Sequence, residues 1–183
     1  MKLPADKKAR GKPLLLAVLR PWGRNTFIKQ SAQLLDKQIE QGWDVLLIPA
    51  HFAEDSGIIK QVTAEMKRQP LCINKCLTAG QFIALTAYAD IVFSMRMHAL
   101  ICAMAVGTPM LALSYNPKVD AFMQQIGMDR FCMQLDSFRS KTAIALLEEA
   151  GNLPPQFIEA LGIRRAELNA LASRPAQISM AEF

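Results

Sequence analysis

The chain has 183 residues, of which 51% are hydrophobic and 20% are charged, and its formal net charge is +5. This length fits one domain, and the composition is ordinary for a soluble globular protein. No apolar stretch approaches the roughly 18 residues that a membrane-spanning helix needs. The four cysteines lack the spacing of a zinc site, and we expect a cytoplasmic protein with reduced thiols.

The positive charge is concentrated at the start of the chain, where five basic residues lie within the first twelve positions: Lys2, Lys7, Lys8, Arg10 and Lys12. Residues 1–13 contain prolines and a glycine but no apolar period, and they are predicted to be a linker. Residues 14–183 are predicted to form a single α/β domain. The modest remaining charge suits a small anionic partner, and we expect no nucleic acid.

Six short apolar runs are typical of strands that are buried on both faces of a parallel sheet. They cover residues 14–19, 45–48, 71–73, 91–93, 110–113 and 131–133. Helices are predicted over residues 27–41, 56–68, 81–88, 95–105, 119–126, 141–149 and 155–172, and residues 173–183 are predicted to be a loose tail or strap.

Helix starts are marked by side chains that can accept a hydrogen bond from free backbone N–H groups. The predicted caps, in chain order, are Asn25 or Thr26, Asp55 or Ser56, Thr78, Ser94, and Asn116 followed by Pro117.

Alternating strands and helices predict an α/β fold: a Rossmann-like parallel sheet with helices on both faces. The commonest strand order for such a chain is 3-2-1-4-5, in which the switch point lies between the carboxyl ends of the first and fourth strands. The polar residues that follow the first, fourth and fifth strands are expected to meet there. They are Arg20, then Ser94, Arg96 and His98, then Ser114, Asn116 and Lys118.

The pair Arg96 and His98 is predicted to lie in the first turn of a helix, where the helix dipole and free N–H groups favour an anion. Arg96 supplies a fixed positive charge, and the imidazole of His98 changes charge near neutral pH, so it can donate a proton. The alternative is that Arg96 is merely solvated and that His98 is a hydrogen-bonded core residue.

Several functional classes are excluded by absent motifs. No two glycines are separated by one residue, so the dinucleotide fingerprint and the P-loop are both missing. There is no Gly-x-Ser-x-Gly nucleophile turn. His98 and Cys102 are four residues apart but lack a third ligand, so no metal site is predicted. Glu54 and Asp55 are interpreted as surface acids at a helix start.

Residues 89–127 resemble the polysaccharide pyruvyl transferases, and most closely the bacterial cell-wall branch often called CsaB. The resemblance rests on Ser-Met-Arg-Met-His-Ala-Leu-Ile, then Gly-Thr-Pro, then Leu-Ser-Tyr-Asn-Pro-Lys-Val-Asp-Ala-Phe. Leu-Arg-Pro-Trp at residues 19–22, Ile-Pro at 48–49 and Asp55 also fit. It implies a GT-B-like fold of which this chain matches the C-terminal half, with a separate N-terminal α/β domain as a missing partner.

The resemblance further implies that phosphoenolpyruvate is the donor substrate, and that pyruvate is transferred as a ketal onto a cell-wall or exopolysaccharide sugar. It implies no cofactor and no metal. Arg96 and His98 would be catalytic, and the substrate-binding residues would be Arg20, Ser94, Arg96, Ser114, Asn116 and Lys118. The saccharide acceptor could be lipid-linked, with peripheral contact at the inner membrane face.

Two alternatives stay open at this point. The chain could be the nucleotide-sugar-binding domain of a GT-B glycosyltransferase, or it could be a non-catalytic anion-binding module.

Overall fold

The structure is a computed structural model that describes residues 11–23 and 27–181, with side chains described for 11–23, 27–168 and 170. Its six strands are β1 (Leu14–Val18), β2 (Asp44–Leu47), β3 (Leu71–Cys72), β4 (Ile91–Ser94), β5 (Met110–Ser114) and β6 (Cys132–Gln134). They form one parallel sheet in the order β3-β2-β1-β4-β5-β6. The predicted order is confirmed, and the final short strand extends it.

The helices are α1 (Ile28–Glu40), α2 (Phe52–Glu65), α3 (Ala79–Tyr88), α4 (Met97–Val106), α5 (Pro117–Gln125), α6 (Ser140–Gly151) and α7 (Pro155–Ala181). Helix α1 packs against α2 and α6, whereas α4 packs against α3 and α7. Helices therefore cover both faces of the sheet, and the predicted α/β, Rossmann-like fold is confirmed.

The core lies along β1, β4 and β5, in which every residue is buried. Because helices cover both faces, side chains that point to either side of these strands lose contact with water. Phe93 of β4 stacks on Phe138, with ring centroids 5.9 Å apart, which ties the sheet to the segment that leads into α6.

Two predicted helix starts are confirmed in detail. Thr78 forms a capping box with Gln81, in which each side chain accepts from the other residue's backbone N–H at 3.2 and 3.0 Å. Asn116 caps α5 by accepting from the N–H of Lys118 at 2.9 Å, and Pro117 occupies the first helical position. The predicted caps Asn25 and Thr26 lie outside the described residues.

Two other predicted helix starts are wrong. Helix α2 begins at Phe52, ahead of Asp55, because the Asp55 carboxylate reaches back to the N–H groups of Ala50 and His51. Ser94 is the last residue of β4 and does not cap α4. Its hydroxyl accepts from the N–H of Arg96 at 2.8 Å and so stabilises a turn between β4 and α4. The helix therefore begins two residues later than predicted, with Arg96 as the N-cap.

The prediction of a loose tail or strap over residues 173–183 is also wrong as far as Ala181, because α7 continues to that residue. Within the residues that the structure describes, no helix is both long enough and apolar enough to cross a membrane.

The capping box gives a direct test of why α3 begins where it does. We expect Thr78→Ala to lower the free energy of unfolding by about 1 kcal/mol, because the N–H of Gln81 loses its acceptor. Thr78→Ser keeps the hydroxyl and should retain most of the stability. Urea denaturation followed by circular dichroism measures both, and equal stability of the two variants would contradict the capping role.

Candidate functional site

Strand register places Arg20 and Arg96 on neighbouring strand ends. Val18 of β1 pairs with Ser94 of β4, and each arginine follows its strand residue by two positions. Both arginines therefore leave the same edge of the sheet, between the strands at which the sheet order reverses. This placement of Arg20 and Arg96 agrees with the expectation that both lie at the switch point of the sheet.

The side chain of Arg96 extends over the end of β1 towards the start of α2. Its Nε donates to the Asp55 carboxylate at 3.2 Å, and its Nη2 contacts both that carboxylate and Glu54, the latter at 2.7 Å. Asp55 is fully buried and Arg96 is 13% exposed, whereas Glu54 is half exposed. Arg96 is thus held by one buried and one accessible carboxylate.

Asp55 joins three segments at the edge of the sheet where the parallel strands end, which we call the carboxyl edge. They are the loop after β2, the first turn of α2 and the turn after β4. One of its oxygens accepts from the N–H groups of Ala50 and His51, at 3.0 and 2.9 Å, and the other accepts from Arg96. The interpretation of Asp55 as a surface acid is therefore wrong, because its lone pairs are satisfied by the backbone and by a guanidinium group. For Glu54, which is half exposed, the interpretation holds.

Electrostatics at this contact favours the charged forms of both partners. The hydrogen bond from Arg96 lowers the pKa of Glu54 below its ordinary value, and the charges of Arg96, His51 and Arg20 act in the same direction. Burial disfavours the charged guanidinium, but the hydrogen bonds to Asp55 and Glu54 outweigh it and raise the pKa of Arg96. Since the folded-state pKa of Glu54 is lowered, the contact stabilises the fold at neutral pH and is lost as the pH falls through that pKa.

Arg20 lies beside a pair of aromatic rings. Its Nη1 donates to the hydroxyl of Tyr115 at 2.8 Å, and its guanidinium carbon is 5.0 and 5.4 Å from the ring centroids of Tyr115 and Trp22. The two rings are themselves 4.4 Å apart. The Nε of Arg20 is buried, and no described residue accepts a hydrogen bond from it. The rings hold the cation in place by cation–π attraction while leaving donors free.

His98 is exposed, on the first turn of α4, on the side that faces α3. It lines a pocket of about 330 Å³ whose other walls are apolar, apart from the half-buried thiol of Cys102. The remaining lining residues are Ala50, Leu77, Ala79, Phe82 and Ile83. The imidazole is therefore accessible, and the alternative of a buried, hydrogen-bonded core histidine does not apply.

The other predicted binding residues shape the strand ends. Ser94 and Ser114 are fully buried, and their hydroxyls lie 3.1 and 3.2 Å from the carbonyl oxygens of Arg96 and Asn116. The side chain of Asn116 caps α5, and Lys118 is exposed in the first turn of that helix. Both serines therefore stabilise turns that carry the more accessible residues.

Among the described residues, no group of three or more histidine, cysteine, aspartate or glutamate side chains is arranged to hold a metal ion.

Four residues of this edge were not predicted as site residues: Trp22, Glu54, Asp55 and Tyr115. A signal was present for each. Trp22 and Tyr115 lie in the same short stretches as Arg20 and Asn116, and an acidic pair follows the second strand, close to the predicted switch point. The cation–π and ion-pair partners of the arginines could have been sought there.

The pattern of residues along this edge is that of a known family, because a model of the polysaccharide pyruvyl transferases matches residues 3–117, more than half of the chain. The chain belongs to the polysaccharide pyruvyl transferase family. The match includes Arg20, Asp55, Arg96, His98 and Ser114, and it ends at the start of α5. No curated protein sequence gives a significant match.

Solved structures with a similar fold are glycosyltransferases. The glycotransferase of kitacinnamycin has a TM-score of 0.68 at 16% identity over 100% of this chain and 45% of that chain. The calicheamicin glycosyltransferase CalG4 has a TM-score of 0.66 at 12% identity, over 98% and 43%. The structure titled for EarP-mediated arginine glycosylation has a TM-score of 0.58 at 17% identity, over 95% and 62%.

At these identities the likeness shows the fold alone, which is that of GT-B glycosyltransferases. This pyruvyl transferase family member spans less than half the length of the first two structures.

The buried carboxylate of Asp55 predicts a large effect of a small substitution. In Asp55→Asn the amide cannot accept from both Arg96 and the backbone N–H groups, so one buried donor set loses its partner. We expect the free energy of unfolding to fall by about 3 kcal/mol, as for a broken buried ion pair.

Asp129→Asn makes the same chemical change at an exposed position and should alter stability by less than about 0.5 kcal/mol. Urea denaturation of the two variants and the parent measures the difference. If Asp55→Asn is as stable as Asp129→Asn, Asp55 does not hold the carboxyl edge together.

Proposed function

We propose that this chain binds phosphoenolpyruvate for pyruvyl transfer, in the crevice between the carboxyl ends of β1 and β4. The observation that carries the proposal is the pair Arg20 and Arg96, which follow register-paired strand residues beside the N-terminus of α4. That helix has no side-chain cap, so its first N–H groups are open to an anion.

The donor's two anionic groups suit this arrangement. Phosphoenolpyruvate carries a carboxylate and a phosphate, and guanidinium groups bind such planar or branched anions through paired N–H donors. Asp55 and Glu54 accept hydrogen bonds from Nε and Nη2 of Arg96, and no described residue accepts from its Nη1. Of the Arg20 donors, Nη1 binds the hydroxyl of Tyr115, and no described residue accepts from the buried Nε. Each arginine therefore has donors left for one anionic group.

The reaction begins with protonation of the methylene carbon of phosphoenolpyruvate, which makes the second carbon electrophilic. One sugar hydroxyl adds to that carbon, the bond to the phosphate oxygen breaks, and a second hydroxyl closes the ketal. The methyl group gains one proton, the two hydroxyls lose two, and inorganic phosphate leaves with the other. Positive charge fixed beside the leaving phosphate stabilises the transition state.

His98 is the proposed proton donor to the methylene carbon. It is accessible, its imidazole can carry and donate a proton, and it lies two residues beyond Arg96 on the first turn of α4. No metal or other cofactor enters this scheme. Asn116 and Lys118 flank the crevice from the start of α5, where the charge of Lys118 adds to the attraction for the donor.

The acceptor and its environment are further parts of the proposal. A cell-wall or exopolysaccharide sugar, in free or lipid-linked form, would be held by a second α/β domain that faces the carboxyl ends of the strands. The proposal of a second domain is supported by two structural relatives, because this chain covers less than half of the length of each. A cytoplasmic location with peripheral contact at the inner membrane face fits an acceptor of this kind.

Donor choice tests the proposal against a glycosyltransferase function. By isothermal titration calorimetry, we expect the chain to bind phosphoenolpyruvate and not UDP- or GDP-sugars. Arg20→Ala should weaken phosphoenolpyruvate binding at least about tenfold, because one charge-assisted donor set is lost. Arg68→Ala, which removes the same charge at an exposed position just before β3, should bind like the parent.

Binding of a nucleotide sugar without binding of phosphoenolpyruvate would contradict the proposal. With a complementary domain and acceptor supplied, His98→Ala should retain donor binding and lose ketal formation, which mass spectrometry detects as pyruvylated product. Ketal formation at the parent rate by His98→Ala would remove this residue from the mechanism.

A further inference from the structure

Glu54 lies among positive charges at the place where the donor is proposed to bind. Its carboxylate is 2.7 Å from Nη2 of Arg96 and 3.8 Å from Nδ1 of His51, and it also feels the charge of Arg20. A negative oxygen therefore already lies against Nη2 of Arg96, beside the Nη1 that is open to a substrate anion.

The charges that touch Arg96 oppose the binding of a further anion there. With Asp55 and Glu54 both in contact, one guanidinium group faces two carboxylates, and the cluster has a net charge of −1. Phosphoenolpyruvate is itself multiply negative, and like charges at a few ångströms repel strongly in a partly buried site. Donor binding through the free Nη1 of Arg96 is therefore weakened while the Glu54 carboxylate stays beside Nη2.

The two carboxylates differ in how firmly they are held. Asp55 is fully buried and accepts from two backbone N–H groups as well as from Arg96. Glu54 is half exposed, and among the described residues its ion pairs are with Arg96 and His51. Water reaches the half-exposed Glu54 side chain, screens its attraction to Arg96 and solvates its carboxylate when it moves away. Glu54 can leave, whereas Asp55 cannot.

We propose that Glu54 is an internal anion of the donor site: its carboxylate covers Arg96 in the empty protein and is displaced when the donor's anionic group binds. Asp55 remains on the other side of the guanidinium group and keeps it oriented. The inference rests on the proposed function, because it takes Arg96 as a donor-binding residue. It makes Glu54 a determinant of donor affinity that has no part in the chemical step.

Removal of the internal anion should strengthen anion binding. We expect Glu54→Gln and Glu54→Ala to bind both sulfate and phosphoenolpyruvate about fivefold more tightly than the parent, measured by calorimetry of the full chain at low salt. Glu65→Gln is the matched control, because it removes one negative charge from an exposed position at the other end of α2. It should bind like the parent.

The outcomes separate the two proposals. Tighter sulfate binding by both Glu54 variants, with no phosphoenolpyruvate binding by any protein, supports the internal anion and contradicts pyruvyl transfer. Phosphoenolpyruvate binding that the Glu54 variants leave unchanged or weaken supports pyruvyl transfer and overturns the internal anion. Absence of anion binding in every protein, or loss of the fold in both Glu54 variants by circular dichroism, also overturns it.

Discussion

The contact between Arg96 and Asp55 is the interaction on which the carboxyl edge of the sheet depends. It joins the residue that caps α4 to the first turns of α2, across the end of β1, and so connects two strands that are not neighbours in the sheet. A buried carboxylate is costly unless its lone pairs are satisfied. Asp55 meets this requirement with two backbone donors and one guanidinium group, which fixes the strand-end loops relative to one another.

This constraint decides which groups can act on a ligand. The carboxylate of Asp55 already has its hydrogen-bond partners within the fold. The hydroxyls of Ser94 and Ser114 are likewise used in the turns that follow their strands. Among the described residues, the groups that can still bind a ligand include Nη1 of Arg96, the guanidinium group of Arg20 beside its two rings, and the exposed imidazole of His98. The site therefore consists of a small number of accessible groups on a rigid, buried framework, which is the arrangement that precise positioning of a substrate requires.

The fold could be predicted from the sequence because each strand is an unbroken apolar run and the switch point follows from strand order. Thr78 and Asn116 were recognisable as caps because their side chains act on local backbone groups. The partners of Arg96 were not predictable in the same way. Asp55 is 41 positions away in the chain, and an acid after a strand has the same local appearance whether it is solvated or buried. Ser94 failed as a cap because its hydroxyl stabilises the turn instead.

The most direct test of the account is a crystal structure of the chain with bound phosphoenolpyruvate. We expect the donor's anionic groups to contact Arg20 and Arg96 beside the N-terminus of α4, with the Asp55 contact kept and the Glu54 carboxylate moved away. Donor bound at another edge of the sheet, or bound at Arg96 with Asp55 displaced, would contradict the account.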